Sequence, residues 1–213
     1  QLAEKNGNNT HHIIDGRHRW EALMRMGYGD QLVKAEIHNI HTAKEAAILF
    51  DKLNASRKPS ALDTFTVRLT AGYELENSIN RVVRANGFYI RNLATSSRAI
   101  AAVRSLYDVY RYGPEVLAQT LQSIKAIWRD DVNARRGEII SGLGLVIATF
   151  GGKIDYTRLH DKISKKYSAA ELFGTSKGQK SILGCNGPKA VLWLVVQCYN
   201  QGLKPDAQLP LTN

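Results

Sequence analysis

Ile13-Ile14-Asp15-Gly16-Arg17-His18-Arg19-Trp20-Glu21-Ala22, closing at Met26-Gly27, decides how the rest of this chain is read. Two β-branched residues, an Asp-Gly pair and a run of good helix formers predict a strand over 11–15, a glycine turn, and a helix over 17–26 stopped by Gly27. Gly16 lets the backbone approach a ligand closely. The freed amides of the helix start, its positive dipole end and the guanidinium groups of Arg17 and Arg19 then form an anion site suited to phosphate. The plainer alternative is a strand-to-helix turn whose cations face water, with Asp15 capping the helix.

Working outward, Val33-Lys34-Ala35-Glu36-Ile37 predicts a second strand over 33–39, and Leu53-Asn54-Ala55-Ser56-Arg57 follows it. Asp-Gly-x-His-Arg, then Ala and Gly, ahead of a short strand, resembles the signature of the ParB/sulfiredoxin-like superfamily. That group holds partition proteins, sulfiredoxins, free-serine kinases and sequences labelled as nucleases. The resemblance implies a nucleoside triphosphate, CTP or ATP, held with magnesium at this turn by Gly16, Arg17, His18 and Arg19. Asn54 and Arg57 match the Glu-Asn-x-x-Arg box of the partition proteins, where the Asn helps hold magnesium and the Arg contacts phosphate. Leu53 stands where that box has its acid, which takes away support for hydrolysis and leaves the nucleotide as a conformational ligand. Sulfiredoxin chemistry is excluded, because Arg17 replaces the cysteine it needs.

Further matches narrow the resemblance. His41-Thr42-Ala43-Lys44, Glu45-Ala46, Phe50, Ala71-Gly72, the span from Ile79 to Gly87, Tyr112-Gly113, Leu117, Leu121 and Trp128 look like a group of ParB-like proteins of phages and actinobacteria. The signature motifs cover about the first third of the chain, and nothing beyond Leu159 is matched. Members normally carry several strands and helices before the glycine turn, and here only residues 1–12 precede it. The expectation is a chain clipped at its start, or a homodimer or other partner that completes the sheet, since open strand edges are normally avoided. The fold class expected is α+β, predominantly helical. An incomplete ParB/sulfiredoxin-like segment, strand-turn-helix-strand, spans 1–58, and a basic all-helical domain spans 59–213.

Composition agrees with a packed protein that meets a polyanion. The 213 residues are 44% hydrophobic, and the net charge is +10. Six arginines (81, 84, 91, 98, 104 and 111) face only Asp108 between 77 and 113. From 151 to the end nine Lys and Arg side chains face four acids, so each segment carries +5 and together they hold the whole excess. Counterion release from nucleic-acid phosphates makes DNA the expected partner, although charge alone also describes a merely soluble basic protein. Two cysteines, Cys185 and Cys198, without a signal-peptide pattern point to reduced thiols and a cytoplasmic protein. The apolar run at 191–196 is too short for a bilayer, so no membrane role is expected. Five of the six histidines (11, 12, 18, 38 and 41) cluster early, but without a cysteine partner or helical His pair they lack zinc spacing.

After residue 39 helices are expected throughout. Thr42 caps a helix to Leu53, with Glu45 as the return partner of a capping box. Pro59-Ser60 start a second helix, ended by Gly72, and Leu75, Ile79, Val82 and Val83 mark a third before Gly87. The helices around Gly72 read as a helix-turn-helix with Asn80, Arg81 and Arg84 on the outer face, and Arg91 and Arg98 extending the nucleic-acid surface; two short helices joined at a glycine are equally an ordinary helical pair. Residues 89–97 read as a loop, with Ser96 or Ser97 capping a helix to Tyr110. Pro114 opens a helix to Trp128 with a buried stripe at 116, 117, 121, 124 and 127. Residues 130–136 read as a polar loop. The apolar run 139–150 carries Gly142 and Gly144 for close helix packing, and the Gly/Lys-rich segments 176–180 and 184–189 read as flexible and basic.

Three functions follow. The leading one is a ParB-like DNA-associated protein with a phosphate- or nucleotide-binding turn. The second is a phosphotransferase or nuclease of the same superfamily, with Asp15 as metal or base group and His18 assisting. The third is a non-catalytic assembly protein with a vestigial site.

Overall fold

A computed structural model describes residues 11–54, 59–91 and 98–211. The chain is predominantly helical, with ten α-helices and a two-stranded parallel sheet among the described residues. It divides into two compact units, Gln1–Tyr73 and Glu74–Asn213. The division thus falls after Tyr73, whereas the sequence places it after residue 58.

The first unit holds α1 (Arg17–Arg25), α2 (Ala43–Leu53) and α3 (Ala61–Ala71). Thr42 caps α2 by accepting from the Glu45 amide at 3.1 Å, but the Glu45 carboxylate turns to the amide of His41 rather than that of Thr42. Ser60 caps α3 through the Asp63 amide, and Gly72 ends it in the left-handed region at φ 80°. Packing of α2 on α3 is the unit's main helix contact, and Phe65 is its large buried side chain. Neither α1 nor α2 buries a residue fully.

The strand-turn-helix-strand is not formed. His11 makes a lone bridge, residues 12–14 are irregular, and 32–41 contain no strand. The alternation at 33–39 has the period of a strand. A strand, however, needs a neighbour to take its backbone hydrogen bonds, and no described residue supplies one.

The second unit is built on α4 (Glu74–Ala85), α5 (Val103–Tyr110), α6 (Pro114–Trp128), α7 (Gly137–Phe150), α8 (Tyr156–Lys166), α9 (Ala169–Leu183) and α10 (Gly187–Asn200). Its centre is α7, packed on α10, α5 and α6, while α10 also meets α8 and α9. The glycines of α7 permit this closeness: a Cβ on Gly142 would collide with Val191 of α10, and one on Gly144 with Val109 of α5. In α6 the stripe Leu117, Leu121, Ile124 and Ile127 is buried as the 3.6-residue period requires, and Val116 is half-buried.

Three expectations in this unit are corrected. The segment read as a loop over 89–97 begins with β1 (Tyr89–Ile90), paired in parallel with β2 (Ala99–Ile100). The following helix starts at Val103 with Ala102 as N-cap, because Ala99 and Ile100 are drawn into the sheet and fully buried; Ser96 and Ser97 lie outside the described residues. Residues 130–136 are not a free polar loop, since Val132–Arg135 forms a 3-10 turn that buries Arg135 to 1% exposure. Residues 176–180 are helical within α9. That helix is started by a capping box of Ser168 and Glu171 and ended by left-handed Gly184, and Asn186 then caps α10. Strong caps at both ends outweigh the propensity cost of the glycines inside α9.

Candidate functional site

The glycine turn forms where the sequence places it. Gly16 stands at φ 87°, ψ 9° as the N-cap of α1, with no side chain capping the first amides. The first backbone bond of the helix runs from the Trp20 amide to Gly16 O at 3.0 Å. Asp15 does not cap. Its carboxylate faces the Arg19 guanidinium at 3.7 Å, while Arg17 Nε donates to Glu21 at 2.9 Å. Each arginine of the turn is therefore paired with a carboxylate on its own helix or turn, and His18 is exposed beside them.

Asn54 ends α2, is 7% exposed, and donates its side-chain amide to Phe50 O at 2.9 Å. Arg57, the other member of the expected box, lies outside the described residues. Between residues 12–14, α2 and α3 runs a groove of about 310 Å³, lined by His12, Ile13, Ile14, Phe50, Val67 and neighbouring small residues. Its walls are largely apolar, and neither Asn54 nor a cation of the turn is among them. Among the described residues no group of three His, Cys, Asp or Glu side chains gathers to hold a metal ion.

The second unit carries a denser basic site. Arg81 and Arg84 are exposed on α4, opposite Ile79 and Val83, which are completely buried; Asn80 is half-buried at the margin. This placement follows from the period of α4, which puts residues 76, 79 and 83 against the core. Past left-handed Gly87, β1 brings Tyr89 and then Arg91 back beside the end of the helix. The Arg84 guanidinium lies 5.0 Å from the Tyr89 ring centre and that of Arg91 5.6 Å from it. Lys125 of α6 reaches the same corner: its Nζ is 3.5 Å from the point a Cβ on Gly87 would occupy.

Arg98 is exposed but pairs with Asp130 at 3.6 Å. By contrast, no carboxylate among the described residues pairs with Arg81, Arg84, Arg91 or Lys125: two uncompensated guanidinium groups lie against the Tyr89 ring, Lys125 stands by Gly87, and Arg81 sits one turn earlier on α4. Tyr89 and Lys125 are not among the site residues the sequence suggests. The interleaving of Arg84, Tyr89 and Arg91 is a readable signal, whereas Lys125 comes from a helix forty residues away and only packing of α6 on α4 reveals it.

Two further polar contacts lie between helices of this unit. His160 Nε2 and Ser123 Oγ are 3.1 Å apart between α8 and α6, and burial pushes the imidazole below its ordinary value. Ser123 is fully buried, so the pair ties helices together and offers no nucleophile to solvent. Cys198 is buried on α10, its thiol donates to Lys162 O at 3.3 Å, and burial pushes it up; Cys185 is also a free thiol. No described helix is long and apolar enough to cross a membrane.

Compared with protein-family models, curated proteins and solved structures, the chain matches none of them.

Proposed function

We propose that this chain is a ParB-like DNA-associated protein whose second unit grips the phosphate backbone at the corner formed by Arg81, Arg84, Tyr89, Arg91 and Lys125. The observation that carries the reading is the pair of guanidinium groups over Tyr89 without a carboxylate partner. Cation–π contact positions a guanidinium without neutralising it, so the charge stays available for phosphate. Contacts of this kind fix a protein on nucleic acid without reading its sequence.

In the same proposal the Gly16 turn takes the triphosphate of a nucleotide with magnesium. Its backbone suits such a ligand, because a left-handed glycine precedes uncapped amides at the start of a nine-residue helix. Arg19 has to leave Asp15, and Arg17 has to leave Glu21, for their guanidinium groups to join. Both arginines are exposed and their acids partly so, and release of such solvent-screened pairs costs about 1 kcal/mol each. Asn54, through its side-chain oxygen, and Arg57 are the further residues proposed for this site. No acid replaces Leu53, and the proposal includes no hydrolysis.

Fluorescence anisotropy of a labelled duplex, titrated with the chain over a series of salt concentrations, tests the DNA reading. Arg84→Ala/Arg91→Ala is expected to weaken binding at every sequence and to lower the salt slope by about two contacts' worth, roughly 0.9 each. Equal affinity of variant and parent overturns it. Calorimetric titration with CTP, ATP and GTP in magnesium, with Arg19→Ala as control, tests the turn separately.

A further inference from the structure

Residues 32–38, Leu-Val-Lys-Ala-Glu-Ile-His, continue to His41 without helix, turn or bend, and every residue from 31 to 39 is exposed. Glu36 Oε1 and His38 Nε2 are 3.3 Å apart. A contact between residues two apart puts both on one face, as along a strand. Lys34, Glu36 and His38 then form a polar face, and Val33, Ala35 and Ile37 an apolar one. Val33 is 55% and Ile37 69% exposed, far above what an apolar strand face inside a finished sheet retains. The backbone of 32–38 makes no hydrogen bond to another described residue, so neither of its edges is taken by the described part of the chain.

We infer that this segment pairs with the same segment of a second copy of the chain, as an antiparallel strand centred on Ala35. The charges choose the occupant and the register. With the two-fold axis at Ala35, Lys34 stands directly opposite the partner's Glu36, and by symmetry Glu36 stands opposite the partner's Lys34. On the other face Val33 meets the partner's Ile37. Moving the axis by one residue sets Lys34 against its own copy or Glu36 against its own copy, which like charges disfavour. Moving it by half a residue sets charged positions opposite apolar ones and breaks the two-faced pattern. A sequence that complements itself in this register and not in those next to it is what an isologous dimer requires. The contact is small, so the dimer is reversible and forms with rising concentration.

Sedimentation equilibrium of the full chain, from micromolar to submillimolar concentration, tests this. The parent is expected to approach twice the chain mass at the top of the range. Lys34→Glu, at an exposed position and with its helical circular dichroism unchanged, is expected to remain monomeric, and Lys34→Glu/Glu36→Lys to dimerise again. The Ala35→Cys variant, in a Cys185→Ser background, is expected to cross-link to a dimer on mild oxidation, since the two side chains face each other at the axis. A parent that stays monomeric throughout overturns the proposal, whether the strand edge is left open or taken by a different protein. So does a dimer indifferent to Lys34→Glu, or one in which Ala35→Cys fails to cross-link.

Discussion

The Arg84 guanidinium rests 5.0 Å from the centre of the Tyr89 ring, which fixes a cation of α4 against the first strand. The ring acts as a platform, and its hydroxyl does not enter the contact. Tyr89→Phe is therefore expected to bind duplex DNA as the parent does. Tyr89→Ala frees both Arg84 and Arg91, whose ordering then has to be provided on binding, and a loss of about 0.5–1 kcal/mol per cation–π contact corresponds to several-fold weaker affinity. Anisotropy titration of the three proteins at one low salt concentration distinguishes the outcomes. Equal weakening by Phe and Ala would show that the hydroxyl, rather than the ring, matters.

His160 gives the second unit a dependence on pH. Burial lowers its pKa from the ordinary 6.5, so the unfolded chain binds a proton more readily than the folded one. Stability from this group is fully present above 6.5 and falls as pH drops from there to the lowered native value. Below that value it stays at its low level. Glu171, held down by its hydrogen bonds with Ser168, acts in a separate and more acid window, below its ordinary 4.5. Urea midpoints measured between pH 7.5 and 5 are expected to fall for the parent. His160→Gln, which keeps a hydrogen-bonding group opposite Ser123, is expected to flatten that fall; an unchanged slope would sink the assignment.

The places where sequence reasoning succeeds and fails have a common physical cause. Thr42, Ser60, Pro114 and Gly72 act on the backbone within three or four residues of themselves, and each starts or stops a helix where the sequence puts it. Gly16 makes the turn before α1 that the Asp-Gly pair signals for the same local reason, and does so in the left-handed conformation. The failures depend on partners distant in sequence. Residues 33–39 alternate like a strand but find no described neighbour, while Ala99-Ile100 is too short to signal a strand and forms one because Tyr89-Ile90 lies alongside. Arg135 reads as a surface charge, and only the packing of α6, α7 and α9 around its turn buries it. In the basic corner of the second unit, Arg81 and Arg84 follow from helix periodicity, but the arrival of Lys125 beside Gly87 does not.

The glycines of α7 and α9 look alike in sequence and are expected to behave oppositely. Gly142→Ala drives a methyl into Val191, and Gly144→Ala drives one into Val109, each inside a fully buried contact. Overpacking of this kind costs about 1–3 kcal/mol, which outweighs any gain in helix propensity. Gly174 in α9 has no atom within 4 Å of an added Cβ and no left-handed backbone. Gly174→Ala is thus expected to stabilise by about 0.5–1 kcal/mol through the propensity difference alone. Thermal unfolding of the three variants reads the sign directly. A rise in melting temperature for Gly142→Ala would mean that α7 and α10 are not packed this closely.

Arg135 is a charge that the fold bears without full compensation. It is 1% exposed; Nη1 reaches Asp130 O at 3.4 Å, and Nε and Nη2 have no hydrogen-bond partner. Burial lowers its pKa, an effect partly offset by the nearby carboxylates of Asp130 and Asp131. Asp130 is two-thirds exposed on its side chain and also faces Arg98 at 3.6 Å, so losing the Arg135 charge does not strand it. Replacing a poorly satisfied buried ion by an apolar side chain of similar length is commonly neutral or stabilising, by about 1–4 kcal/mol at most. Arg135→Met is therefore expected to match or exceed the parent in urea-induced unfolding. Arg135→Ala also removes the orphaned nitrogens but leaves the stem's volume empty, and is expected to lose about 2 kcal/mol or more through the cavity. If Met were as damaging as Ala, the guanidinium itself would be holding the turn between α6 and α7, and the two nitrogens would have to be engaged with buried water.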